Sequence, residues 1–182
     1  MKINRKTGKL DGASQIPSEN CDTRPDECPI SLVVVHNISL PPGEFGGPYI
    51  SQLFTNQLDA SAHPYFNEVH QMRVSSHLLI RRDGEIIQFV PFHQRAWHAG
   101  VSNYCGKTAC NDFSIGIELE GTDDLPYESI QYQKLAQVIT ELRLSYPEIT
   151  KDAITGHSDI APERKTDPGP AFDWDYLKSL IN

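Results

Sequence analysis

The sequence lacks an apolar run approaching the ~20 residues of a membrane-spanning helix, which argues against a helical membrane protein. Basic charge is scarce: Lys and Arg total 16 against 24 Asp and Glu, a net charge of −8. A nucleic-acid-binding chain shows the opposite balance, so no nucleic-acid partner is expected. The acidic surplus otherwise bears only on solubility. Cysteine is sparse too. Cys21 and Cys28 are separated by six residues, and Cys105 and Cys110 by four, so no C-x-x-C redox or zinc-ribbon motif exists. Two disulfides are arithmetically possible, but 182 residues is long for a disulfide-dependent scaffold. Free cysteines in a reducing compartment are the expectation. The basic N-terminus is followed by no apolar stretch, so no secretory signal is read there. No lipidation motif occurs, and a cytoplasmic location follows as the simplest expectation. Collagenous, coiled-coil and internally repeated patterns are also missing.

What is present suits one domain with one core: 38% of residues are apolar, enough for a core in a chain of this length. Residues 1–20 read as a polar arm, and the domain as 21–182. Ser31-Leu32-Val33-Val34-Val35-His36 is a continuous, mostly β-branched run, the pattern of a strand buried on both faces. Residues 47–58 suit a short helix with Pro48 in its first turn, and 59–73 a loop. Strands are expected over 75–80 and 85–90, joined through Arg81-Arg82-Asp83-Gly84, since Asp-Gly favours a hairpin. Residues 91–110 read as mostly irregular. Over 113–120, Phe113, Ile115, Ile117 and Leu119 alternate with Ser114, Gly116, Glu118 and Glu120, giving one apolar face and one polar or open face. Leu135, Val138, Ile139 and Leu142 recur at helical spacing within 128–144, and Pro147 ends that helix. Residues 153–170 read as a loop and 172–181 as a closing helix. The expected fold class is α/β (α+β): a single domain with a mixed central β-sheet flanked by helices.

Seven histidines are present, and position separates them. His36 falls at the C-terminal end of the most apolar strand, where open α/β sheets carry their sites. His157 lies in the tight Thr155-Gly156-His157-Ser158-Asp159 segment. Asp167 follows ten residues later in a proline-stiffened loop. Two imidazoles and a carboxylate form the three-ligand zinc set that leaves a fourth position for water. Taken singly, His36 also reads as a strand-end histidine and Asp167 as a turn cap. Glu118 sits on the polar face of its strand. A partly buried glutamate there would have a raised pKa and could take a proton from attacking water. Glu120 points to the same face and competes for that role, though Gly121 beside it suggests a place nearer the rim. Lys165, two residues before Asp167, could steady an oxyanion or be an exposed lysine.

Five segments then stand in order: Val35-His36-Asn37-Ile38-Ser39, Trp97-His98-Ala99-Gly100, 111–118 (NDFSIGIE), Gly156-His157-Ser158-Asp159-Ile160 and Arg164-Lys165-Thr166-Asp167-Pro168-Gly169. The set resembles the zinc-dependent N-acetylmuramoyl-L-alanine amidases, the class that includes phage T7 lysozyme and the peptidoglycan recognition proteins. It is most similar to the branch acting on 1,6-anhydro-muropeptides, and the likeness runs from about residue 20 to 175. The resemblance implies an amidase-like fold. It implies one Zn²⁺ per chain on His36, His157 and Asp167, with Glu118 as general base and later proton donor, and Lys165 as oxyanion stabiliser. It also implies Asp167 where phage and animal relatives commonly carry Cys.

The implied reaction is hydrolysis of the amide between the lactyl group of 1,6-anhydro-N-acetylmuramic acid and L-alanine, in cytoplasmic peptidoglycan recycling. The partner would be a small-molecule muropeptide, with no nucleic acid or membrane, and the chain a monomer. Asn37, Arg73 and Trp97 would contact substrate, Trp97 through its ring face and Arg73 through a stem-peptide carboxylate. A second arginine of that branch is Ala109 here, with Lys107 two residues earlier. Two other readings are a catalytically inactive muropeptide-binding module and a zinc amidase acting on intact peptidoglycan. His77 and His98 lie in family-like segments and take no ligand role; His77 is expected to be hydrogen-bonded support.

Overall fold

Among the described residues, 1–181, the computed structural model has a central sheet of six strands: β1 (Ser14–Gln15), β2 (Leu32–Ile38), β3 (Leu78–Ile80), β4 (Ile86–Gln88), β5 (Ser114–Glu120) and β6 (Ile154–Gly156). Their order across the sheet is β6-β2-β5-β3-β4-β1. β6, β2, β5 and β3 run parallel, β4 is antiparallel to β3, and β1 pairs parallel with β4. The β3–β4 hairpin turns through Arg81-Arg82-Asp83-Gly84, as expected, with Gly84 at φ +87°, a conformation glycine adopts without a Cβ penalty. The helices are α1 (Tyr49–Phe54), α2 (Phe66–Val69), α3 (Ser129–Ser145), α4 (His157–Ile160) and α5 (Trp174–Ile181). No helix among the described residues is long and apolar enough to cross a membrane.

The sheet is covered on both faces. Val33 and Val35 of β2, with Ile115, Ile117 and Leu119 of β5, pack under Leu135, Val138, Ile139 and Leu142 of α3 and Leu177 of α5. Those four α3 side chains are fully buried, each worth roughly 1.5–3 kcal/mol relative to exposure. On the other face, Leu79 and Ile87 meet Ile50, Leu53 and Phe54 of α1 and Phe66 of α2. Leu32 and Val34 face Ala99, Cys110, Phe113 and Ile160. Strand β2 is therefore buried on both sides, as its unbroken apolar run requires.

The structure departs from these expectations in several places. The polar face of β5 is not open, since all seven residues of the strand are buried. The segment after β4 folds back over it, and a Cβ on Gly116 would lie 2.4 Å from the ring of His98. A glycine inside a strand permits that approach. Residues 1–20 form part of the folded unit. Ile3–Asn4 pairs with Lys9–Leu10, Leu10 is buried, and β1 extends the sheet. Gln88 accepts from the Leu10 N–H at 2.8 Å and donates to the Gly8 carbonyl at 2.9 Å. Strands of two residues are too short to show periodicity, which is why the segment reads as an arm. Within 153–170, β6 and α4 likewise stand where a loop is expected. All four cysteines are free.

Candidate metal centre and active site

The C-terminal ends of β2 and β5 deliver the first two groups. Their parallel register sets Glu118 opposite His36, so both side chains emerge on one face of the sheet. β6 then feeds directly into α4, whose first residue is His157. Asp159 fixes that junction, accepting from Thr155 Oγ1 at 2.7 Å and from the Gly156 N–H at 2.8 Å. The Ser158 N–H donates to the Asp167 carbonyl at 2.9 Å. Farther along the loop, the Pro168 carbonyl accepts from Asn37 Nδ2 at 3.1 Å and from the Tyr127 hydroxyl at 2.7 Å. Asn37 Nδ2 also donates to Asp123 Oδ1 at 2.8 Å. The loop bearing Asp167 is thus tied to β2, to α4 and to the segment before α3.

The result is a triangle of donor atoms. His36 Nδ1, His157 Nδ1 and Asp167 Oδ2 lie 3.0 Å from one another on every side. Two ligands on one tetrahedral ion with bonds near 2.05 Å sit ~3.3 Å apart, so the spacing fits a shared cation. Burial pushes His36 down to about 4, which makes it neutral at pH 7. His157 Nε2 lies 3.2 Å from the Ala99 carbonyl. That contact places the ring proton on Nε2 and leaves Nδ1 bare, the arrangement metal-ligating histidines adopt. Two imidazole nitrogens and a carboxylate oxygen converging at this spacing are a donor set that suits a divalent cation, so the residues present fit a metal ion.

Glu118 faces the same cavity, of about 360 Å³, whose lining includes His36, His157, Asp167, Lys165 and Trp97. Its Oε2 is buried and has no hydrogen-bond partner. Burial raises its pKa well above the ordinary glutamate value; Asp167 adds to the rise and Lys165 opposes it. Glu120 separates from Glu118 here. It is 2% exposed rather than at the rim. It accepts from the Gly46 N–H at 2.7 Å, Arg81 Nη1 at 3.0 Å and the Arg82 N–H at 3.2 Å. Both its oxygens are committed to structure, whereas Glu118 retains a free one.

Asn37 lines the cavity, though its amide nitrogen is already spent on Asp123 and Pro168. Arg73 is exposed and outside the lining, while its neighbours Met72 and Val74 belong to it. Ala109 ends a short two-stranded turn, where Lys107 lies over the Phe113 ring and 3.6 Å from Cys28 Sγ. His77 accepts from the Gly116 N–H at 3.0 Å, the supporting place expected for it. Motif reading missed Ser114, Asp123 and Tyr127 and gave His98 no part, although His98 Nδ1 is 3.0 Å from His36 Nε2. The isolated Gly116 in a strand was the one local signal of close approach.

The family model for N-acetylmuramoyl-L-alanine amidase matches residues 26–170. The chain belongs to the N-acetylmuramoyl-L-alanine amidase family. It is 63% identical over 174 residues to the 1,6-anhydro-N-acetylmuramyl-L-alanine amidase AmpD of Salmonella typhimurium (strain SL1344), covering 96% of this chain and 92% of that protein. A crystal structure of a selenomethionine AmpD derivative superposes with a TM-score of 0.96 at 59% identity, with both chains fully covered. The amidase AmiD of Escherichia coli, in complex with the substrate anhydro-N-acetylmuramic acid-L-Ala-D-γ-Glu-L-Lys, matches at TM-score 0.61 and 27% identity, over 94% of this chain and 60% of that one. Membership in this amidase family accounts for the mixed sheet and for the motifs that converge on the donor triangle.

Proposed function

We propose that this chain is a zinc-dependent amidase that hydrolyses the bond between the lactyl carbonyl of 1,6-anhydro-N-acetylmuramic acid and the L-alanine nitrogen of muropeptides. One observation carries the reading: the buried, unpaired Oε2 of Glu118 shares a cavity with the three converging donors. His36, His157 and Asp167 would hold one Zn²⁺. Bound there, the ion supplies Lewis acidity and brings the pKa of water from ~15.7 towards ~7. Glu118 takes the proton released as water attacks the lactyl carbonyl. The new carbon–oxygen bond forms, the carbon–nitrogen bond breaks, and Glu118 returns the proton to the departing alanine nitrogen. Lys165 brings its positive charge to the cavity wall, suited to the oxyanion of the tetrahedral stage.

In this reading Trp97 offers its ring face to the sugar, Asn37 forms the wall beside His36, and Arg73 reaches from the rim to a stem-peptide carboxylate. The names of the AmpD relatives and the substrate in the AmiD complex support an anhydro-muropeptide. The proposed setting is cytoplasmic recycling of wall fragments by a monomer, which size-exclusion chromatography checks. The deciding assay incubates the protein with 1,6-anhydro-MurNAc-tripeptide and with MurNAc-tripeptide, each with and without a chelator, and follows free peptide by mass spectrometry. Chelator-sensitive release, faster from the anhydro sugar, is the expected result. Equal rates on both sugars would point to a broader wall-degrading amidase. No release from zinc-loaded protein would overturn the enzymatic reading in favour of a binding module.

A further inference from the structure

His98 lies behind His36, on the side away from the donor triangle. His36 Nε2 is 3.0 Å from His98 Nδ1, His98 Nε2 is 3.1 Å from Ser114 Oγ, and Ser114 Oγ is 2.5 Å from the Cys110 carbonyl. A hydroxyl carries one proton. Hydroxyl and carbonyl oxygens this close need that proton between them, so Ser114 donates to Cys110. The Ser114 oxygen is then left to accept, and His98 Nε2–H donates to it. A neutral imidazole has one N–H, so His98 Nδ1 is bare and accepts from His36 Nε2–H. His36 Nδ1 is thereby left with a free lone pair facing His157 and Asp167. This is the assignment in which every contact of the chain is a hydrogen bond.

The next residue treats the second histidine in the same way. The Ala99 carbonyl lies 3.2 Å from His157 Nε2 and engages its proton. Asn111 Oδ1 holds both residues, accepting from the His98 N–H at 3.2 Å and the Ala99 N–H at 2.8 Å. The sheet makes room for the arrangement at Gly116, where a Cβ would stand 2.4–2.7 Å from three atoms of the His98 ring. Side chain, backbone anchor and missing Cβ are thus three separate features that meet at His98.

We propose that His98 is a positioning residue for the metal centre: backed by Ser114, it sets the tautomer and aim of His36, while Ala99 does the same for His157. The inference rests on the metal-binding part of the proposed function, but its proton positions are testable without metal. In ¹⁵N-labelled, chelator-treated protein, proton–nitrogen correlation of the imidazoles should show His36 and His98 each protonated on Nε2. A proton on His36 Nδ1 would overturn the proposal.

Zinc affinity, measured by chelator competition, supplies the second arm with His98→Asn and His98→Leu. The two replacements are similar in size, but only Asn offers an oxygen to accept from His36. Leu is expected to weaken zinc binding 10–100-fold, the usual cost of losing such a partner, and Asn to recover most of it. Equal affinities in wild type and both variants would overturn the positioning role. Should His98→Leu fail to fold, Ser114→Ala replaces it; there the His98 proton should redistribute between its nitrogens, and unchanged tautomers would count against the relay. Wild-type protein that binds no zinc would instead sink the metalloenzyme reading while leaving the proton assignment intact.

Discussion

Glu118 shows how one residue carries opposite demands from stability and chemistry. In the metal-free folded chain, burial holds its carboxyl well above the ordinary value, so it keeps a proton that the unfolded chain releases above about pH 4.3. The stability tied to this group is fully present below that pH and is lost as pH rises towards the folded pKa. Glu118→Gln removes the loss. The metal-free variant should melt higher than wild type at pH 7, and the two should converge below about pH 4 in calorimetry. Turnover should fall by about 10²–10⁴, the range for a lost general base, with zinc content unchanged; full activity would end the base assignment. Asp167→Ala has the complementary effect. It leaves two imidazoles where this geometry needs three protein ligands, so elemental analysis should find the zinc gone. Stoichiometric zinc in that variant would remove Asp167 from the site.

Strand β5 assigns different work to two glutamates spaced by one residue. Both project from the face opposite α3, yet their surroundings differ. Glu118 emerges beside His36 into the cavity. Glu120 emerges beside the hairpin of β3 and β4, where Arg81 is only 12% exposed at its side chain. The pair also ties in the Gly46 N–H and the Gly47 carbonyl, so it anchors the loop leading into α1. Breaking a buried pair from one side typically costs ~3–5 kcal/mol. Glu120→Ala should lose that much stability in urea unfolding, whereas Glu118→Ala should not. Similar losses in both variants would contradict the division of labour along the strand.

Across the whole molecule, segments far apart in sequence complete the site. The donor triangle combines β2, α4 and the loop after it, and the residues behind it come from the segment between β4 and β5 and from the first residue of β5. The N-terminal twenty residues belong to the same unit, through Leu10 and β1. Deleting residues 1–15 should therefore lower the melting temperature measurably, because it strips the sheet's edge strand and unseats Gln88. A truncation with unaltered melting would restore their reading as an appended arm. The central strands, the Asp-Gly hairpin and helix α3 were legible locally, since burial on one face or two imposes a period that neighbouring residues display. His36, Glu118, His157, Lys165 and Asp167 were legible as residue types suited to a metal hydrolase, and their ordered motifs as a family resemblance. The convergence itself was not. No local pattern states that Glu118 stands in register with His36, that Glu120 is consumed by Arg81, or that His98 reaches His36 over Gly116. Those relations depend on strand order and on a loop folding back across the sheet, distances that only the packed chain defines. What the sequence determined by itself was the elements and the chemistry available to them; the tertiary structure alone decided which of those groups met and which oxygen remained free.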